Sequence, residues 1–334
     1  MNKLSLTCSK KHAARILIIA VFCISNVGMV LAQAQDWPKK PVRLIVAFPP
    51  GGAVDTIGRD IARELSALWG QPVLIDNKPG AGGVIAADAT AKAAPDGYTL
   101  FLATDGINVV VPFMQSKLPY DTLSDLRPIA LIGTIPLILV ATEDLKVKNI
   151  TEFIAKAKNK PGMIDYASNG IGVSTHMAME LFQRNAGIKV NHIPYKGSAS
   201  ALQDMLGGRV PIMWSSLSST LVHIKSGKLI PIAMGSLERT PLLPHVPTVS
   251  EAGFPGFEAA TWVGVMGPSK MTAALTQKIQ ADLQKVTMSP SYRKQQADKG
   301  NEVRSSTSNE FAERINMEYG RNKALFESGE IPRE

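Results

Sequence analysis

Pro41-Val42-Arg43-Leu44-Ile45-Val46-Ala47-Phe48, closed by Pro49-Pro50-Gly51-Gly52, is a nearly continuous apolar run that stops at four turn-forming residues. A strand wetted on one face alternates apolar and polar residues, whereas one buried on both faces does not. The run therefore predicts a strand inside a covered sheet, which points to parallel pairing. After it, Val54, Ile57, Ile61, Leu65 and Leu68 recur at helical spacing and end at Gly70. Residues 72–75 predict a second strand, 77–83 a turn-rich loop, and 84–93 an Ala-rich helix stopped by Pro95-Asp96-Gly97. Residues 98–103 predict a third strand. The result is βαβαβ, the unit of an open, doubly wound sheet.

The rhythm then repeats. Residues 137–141 predict a strand and 151–160 a helix opened by Thr151. Residues 163–167 predict a strand, with a helix from about Ser174. Residues 190–195 predict another, followed by 199–206 with Leu202, Met205 and Leu206 on one face. Strands at 210–214 and 229–234 flank a short helix to Lys225. Residues 238–256, rich in Pro and Gly, read as irregular, and 262–266 as a further strand. Leu275, Ile279, Leu283 and Val286 mark a long amphipathic helix, and Phe311, Ile315 and Tyr319 the last one. Two α/β sheets with late helices imply two lobes, the terminal helices returning to the first. The chain then crosses twice, near 133–136 and 257–262. Lobe 1 is expected over 35–136 plus 259–334, and lobe 2 over 137–258.

The first 34 residues read as an export signal. Lys3, Lys10, Lys11 and Arg15 form a basic start without an acid. An apolar run follows, and Ala32-Gln33-Ala34 supplies the small residues that a signal peptidase accepts. Broken by Ser25, Asn26 and Gly28, the run falls short of the ~20 residues that span a bilayer. Cleavage near Ala34 removes both cysteines, Cys8 and Cys23, so an exported mature chain has neither disulfide nor thiolate site. At 45% apolar content the remaining chain is long enough to bury a sufficient core without them. The formal net charge is +8. The export segment carries four positive and no negative charges, so its removal leaves +4. The other Lys and Arg residues are scattered, which argues against nucleic acid and is compatible with small anions.

In open α/β sheets, ligands sit where strands run into helix N-termini, whose unpaired N–H groups suit anions. Pro50, Gly51 and Gly52 form one such junction, and Asp55 falls at the start of the next helix. Asp55 either caps that helix or meets a ligand. Ala81, Gly82 and Gly83 belong to a second junction, and Thr104-Asp105 closes the third strand. Neither the phosphate-loop pattern GxxxxGK[ST] nor GxGxxG after the first strand is present, so nucleotide is not expected. In the second half, the segment from Asn169 to His176 joins strand to helix through Gly170. Ser174 or Thr175 either caps the helix or grips a carboxylate facing Gly51 and Gly52. Tyr195-Lys196-Gly197-Ser198 repeats the layout, with Lys196 either a carboxylate partner or a solvated charge.

Residues 37–55, Asn77-Lys78-Pro79-Gly80-Ala81-Gly82-Gly83 and Pro95-Asp96-Gly97-Tyr98-Thr99-Leu100 resemble the Bug family, the TctC-type periplasmic receptors of tripartite tricarboxylate transporters. Ser174-Thr175-His176, Pro194-Tyr195-Lys196-Gly197, Pro247-Thr248-Val249-Ser250-Glu251-Ala252-Gly253 and Trp262-Val263-Gly264 extend the likeness along almost the whole mature chain. No single motif is specific; the ordered set is. The resemblance implies an α/β Venus-flytrap fold of the type II-like periplasmic-binding-protein kind, with a ligand cleft between two lobes. It implies capture of a dicarboxylate or aromatic acid without cofactor or metal, and delivery to the membrane components of a tripartite tricarboxylate-type transporter. By position, first-lobe contacts fall at Pro50, Gly51, Gly52, Asp55 and residues 81–83. Second-lobe contacts fall around Gly170, Ser174, His176, Tyr195, Lys196 and Gly197. Many relatives end the next strand with an acid where this chain has Met213-Trp214-Ser215-Ser216. Trp214 either faces the ligand, favouring an apolar or aromatic distal end, or packs at the hinge. The receptor is expected to act as a monomer.

Catalysis is not expected. Ser174 and His176, two residues apart on a helix, do not face each other. No Gly-x-Ser-x-Gly elbow follows a strand, and His176, His192, His223 and His245 lack zinc spacing. A transcription-factor effector domain would need a helix-turn-helix and no export signal, the reverse of what this chain shows. A periplasmic sensor that reports carboxylate occupancy to a signalling partner has the same pocket and stays open as the alternative to transport.

Overall fold

The computed structural model describes residues 37–115 and 117–329, so the export segment, both cysteines and the cleavage position near Ala34 lie outside the described residues. β1 (Val42–Val46) buries every residue but Arg43, sending Val42, Leu44 and Val46 into one core and Ile45 into another on the opposite face. Helix α1 (Ala53–Trp69) lays Val54, Ile57, Ile61 and Leu65 on the first of these cores. It ends where Gly70 turns left-handed (φ 63°). Leu68, expected on that face, is 45% exposed, because the helix stops before its last turn meets the sheet. β2 (Val73–Asn77), α2 (Val84–Ala91) and β3 (Thr99–Thr104) complete the first unit, with β2 and β3 both parallel to β1. A π-turn (Gly106–Val110) and the short helices α3 (Val111–Met114) and α4 (Thr122–Asp125) follow.

β4 (Leu126–Ala141) is the member that ties the molecule together. Its 16 residues were expected to form a strand only from Leu137 onward. The stretch 133–136, expected as a crossing between lobes, is part of the strand; register shifts between Pro128 and Ala130 and between Leu131 and Gly133 accommodate Pro128 and Gly133. The near part of β4 pairs antiparallel with β9 (Ala260–Pro268) and with β10 (Glu302–Val303). Its far part pairs with β7 (Ile212–Ser216) and β8 (Ile230–Met234). The second unit adds α5 (Ile150–Asn159), β5 (Asp165–Ser168), α6 (Ser174–Ala186), β6 (Asn191–Pro194), α7 (Ser198–Leu206) and α8 (Leu217–Lys225). The order β2-β1-β3-β9-β4-β7-β5-β6 makes one mixed sheet, parallel in each lobe and antiparallel where the lobes join.

Each lobe buries a core on both faces of its sheet. Leu139, Tyr166, Phe182 and Trp214 belong to one second-lobe core, and Met205, Met213 and Leu217 to the other. Each such side chain withdrawn from water contributes about 1.5–3 kcal/mol. The C-terminal helices return to the first lobe. Ile279, Leu283 and Tyr292 of α9 (Ala273–Met288) and α10 (Pro290–Asp298) join the α1 core. Phe311, Ile315 and Phe326 of α11 (Ser308–Glu327) join the opposite one.

Candidate functional site

Four helices begin at one small cavity between the lobes: α1 from the first, α6, α7 and α8 from the second. The cavity has a volume of about 40 Å³. Residues at these helix starts line it: Gly52, Ala53, Val54, Ser174, Thr175, Ser198 and Ser216. Thr104, Asn169 and Thr261 add polar atoms, and Phe48, Ile135, Leu137 and Val173 add apolar wall. No charged side chain lines it. In none of the four helices does the N-cap side chain bond the first turn. Unsatisfied N–H groups and the positive ends of four helix dipoles therefore face one volume, which favours an anionic group without a cationic side chain. Asn169 Oδ1 is buried and unpartnered among the described residues, so the site has spare polar capacity besides N–H groups.

The first-lobe loop is fixed by a buried network. Asp55, 1% exposed, accepts from the Gly51 N–H (2.9 Å), Asn77 Nδ2 (2.8 Å) and Arg59 Nε (2.9 Å). Burial opposes its ionisation, but these bonds outweigh that cost and hold its pKa below the ordinary carboxylate range. Asp55 is thus not the N-cap, which is Gly52, and it does not line the small cavity. It pins the Gly51 turn (φ +88°), leaving the α1 N–H groups free of a side-chain cap.

Several expected contacts lie elsewhere. The His176 ring is 2% exposed, stacks on His192 at 4.1 Å, and accepts the Gly172 N–H on Nδ1 (3.1 Å). It supports the loop from behind. Trp214 is fully buried and stacked on Phe257 at 5.8 Å. Strand alternation puts it in a core, and Ser216, two residues on, reaches the cavity. Tyr195 donates to Asp204 (2.9 Å), Lys196 is exposed, and a Cβ on Gly197 would stand 2.9 Å from Pro49 Cδ. Gly170 abuts the Tyr195 carbonyl. Residues 81–83 form a rim: a Cβ on Gly82 would lie 3.2 Å from the Ile171 carbonyl, while Gly83 packs on Ile107. Of the expected set, the structure brings Gly52, Thr104 and Ser174 to the cavity wall, with Pro50 and Gly51 in the loop leading into it. Ser198 and Ser216 were reachable by the strand-to-helix rule that selected Ser174. Thr261 had no signal, because an inward side cannot be told on a crossing strand.

The lobes touch around the cavity. A Cβ on Gly52 would sit 2.8 Å from Ser198 Oγ, and one on Gly106 2.7 Å from Val173 Cα. Ser174 Oγ donates to Asp105 Oδ1 across the interface (2.8 Å). Behind this contact a separate groove of about 1040 Å³ runs between α6 and α11, lined by Asp105, Ser174, Arg184, Arg314 and Glu318 among others. Its size and mixed charges set it apart from the small cavity, whose lining carries no charged side chain.

A two-lobed α/β body with helix starts converging on an interlobe cavity defines a solute-binding protein. The family model described as TctC, tripartite tricarboxylate transporter family receptor, matches residues 57–330. The chain belongs to this family, whose members are solute-binding receptors rather than enzymes. It is 40% identical to the protein BugT of Bordetella pertussis over 259 residues, 77% of this chain and 79% of that one. It resembles the structure of Rpa4515 from R. palustris with adipate (TM-score 0.84, 31% identity, 86% of this chain and 97% of that one). The periplasmic binding protein BugD matches equally well (TM-score 0.84, 30% identity, 89% and 100%). Among the described residues no helix is long and apolar enough to cross a membrane.

Proposed function

We propose that the mature chain, exported to the periplasm after cleavage near Ala34, captures a small organic carboxylate in the interlobe cavity and hands it to the membrane components of a tripartite tricarboxylate-type transporter. The convergence of four uncapped helix N-termini on a cavity without charged side chains carries this reading. The adipate named with Rpa4515 supports the chemical class. First-lobe N–H groups at Gly52 and Ala53 and second-lobe groups at Ser174, Ser198 and Ser216 are the proposed contacts, aided by Thr104 and Asn169. Lobe 1 is read as 35–136 plus 259–334 and lobe 2 as 137–258, the chain acting as a monomer. At about 40 Å³ the closed cavity holds a carboxylate group and little more, so a longer acid keeps the lobes further apart. Ligand binding to both lobes favours closure to the extent that the closed form binds better.

A thermal-shift screen of C3 to C8 aliphatic and aromatic carboxylates tests the reading. A ligand at ~100 times its Kd stabilises the protein by roughly 2.7 kcal/mol, a clear rise in Tm. Uniformly flat melts across the set, with neutral sugars or amines giving the shift instead, would overturn the carboxylate assignment.

A further inference from the structure

We propose that carboxylate capture by this chain is coupled to proton uptake at Asp105, relayed through the Ser174 hydroxyl. The inference rests on the carboxylate reading above and adds a proton to it. Ser174 lines both the small cavity and the groove behind it, whereas Asp105 lines only the groove. Between them runs a single hydrogen bond from Ser174 Oγ to Asp105 Oδ1 (2.8 Å). A hydroxyl has one proton to give. While Asp105 is ionised, that proton is spent on Asp105 and Ser174 turns lone pairs to the cavity, the wrong polarity for an anion. A carboxylate in the cavity asks the hydroxyl to donate inward. Ser174 can do so without losing its bond across the interface only if Asp105 carries a proton and donates it to Oγ. The balance is simple: protein, ligand anion and one proton from solvent give a complex in which the ligand stays ionised and Asp105 is neutral.

The surroundings favour this exchange. The partly buried position of Asp105 and, to a lesser extent, the negative Glu318 push its pKa up to about 7 against the lowering effect of the Ser174 bond. Glu318 is itself held by Arg314 Nε (2.9 Å) and by Trp262 Nε1 (2.7 Å). The other charged groups in the groove are Glu180 and Arg184 of α6, Lys189 after it, Glu258 before β9, Arg321 of α11, and Glu302 and Arg304 at β10, the last two paired with each other. A ligand anion one hydroxyl away adds a second negative charge and drives protonation closer to completion.

The test uses acetate, succinate, adipate and benzoate. Titration calorimetry at pH 8 in phosphate and in Tris, whose ionisation enthalpies differ, reads protons taken up per ligand. Uptake approaching one is expected, with affinity falling about tenfold per pH unit above pH 7.5. Asp105→Asn, whose amide donates to Ser174 permanently, should abolish the uptake, flatten the pH profile and bind at pH 8 at least as tightly as the parent. A merely structural role would weaken binding instead. The variant should also melt higher than the parent at pH 8. A folded carboxyl with a raised pKa holds a proton that the unfolded chain has lost, so its stabilising share drains away from about pH 4 to 7. If an acid binds without proton uptake, or Asp105→Asn keeps the uptake, the coupling is wrong and the carboxylate reading stands. If none of the four acids binds, the coupling as stated is wrong, and the carboxylate reading is judged by the wider thermal-shift screen.

Discussion

The helices of this protein start in two different ways. Away from the cavity, α5 is capped by Asn149, α9 by Thr272 and α10 by Ser289, while α11 carries a full capping box between Thr307 and Glu310. At the cavity, the N-caps of α1, α6, α7 and α8 are Gly52, Val173, Gly197 and Ser216, and none bonds its own helix. Ser216 is the telling case. It has a capping side chain but donates it to Ser219 Oγ (2.8 Å) and leaves the α8 N–H groups open. A missing cap costs about 1 kcal/mol per helix. α2 and α3 are also uncapped by a side chain, but the four starts at the cavity are the ones whose open N–H groups share one volume.

Substitutions that exchange the two kinds of start should separate binding from stability. Ser216→Asp places a carboxylate where a ligand anion would go and caps α8 at once. Affinity should fall more than roughly a hundredfold, since like charges in such a site cost several kcal/mol, while Tm holds or rises. Unchanged affinity in calorimetry would remove α8 from the site. Gly106→Ala acts on closure instead, because its Cβ meets the Val173 backbone of the other lobe at 2.7 Å. Overpacking of about 1–3 kcal/mol predicts roughly tenfold to hundredfold weaker binding. Small-angle scattering should show the liganded variant staying expanded. Thr272→Ala, at the capped end of α9, should lower stability by about 1 kcal/mol, roughly 2 °C in Tm, and leave affinity alone. A loss of affinity in that variant would break the division between the two regions.

The sequence made the architecture legible wherever periodicity was clean. β1, α1, β3 and α9 follow from apolar spacing, and the glycine-bearing junctions pointed to the edge of the sheet where the small interlobe cavity lies. Two things stayed hidden. The near part of β4, residues 126–136, was not read as a strand, and its pairing with β9 shows it to be one, with register shifts after Pro128 and Leu131. Side-chain direction at strand ends was the other. Trp214 and Ser216 lie on the same side of β7, but Trp214 sits deep enough to meet Phe182 and Phe257, whereas Ser216 emerges at the cavity. Likewise Asp55 was read from its position at a helix start; Gly51 and Arg59 lie four residues to either side of it, but Asn77 comes from the end of β2, which no local pattern connects to it.

β4 and β9 run side by side through the first lobe, paired from Leu126 with Pro268 to Pro136 with Ala260, and leave it together where the Leu137 N–H donates to the Ala259 carbonyl (3.3 Å). A joint of this kind behaves as a flexure: two bonded ribbons bend together, and neither end swings loose. Two crossings tied together at the lobe boundary restrict relative movement to bending about that point, which keeps the helix starts at the cavity in register.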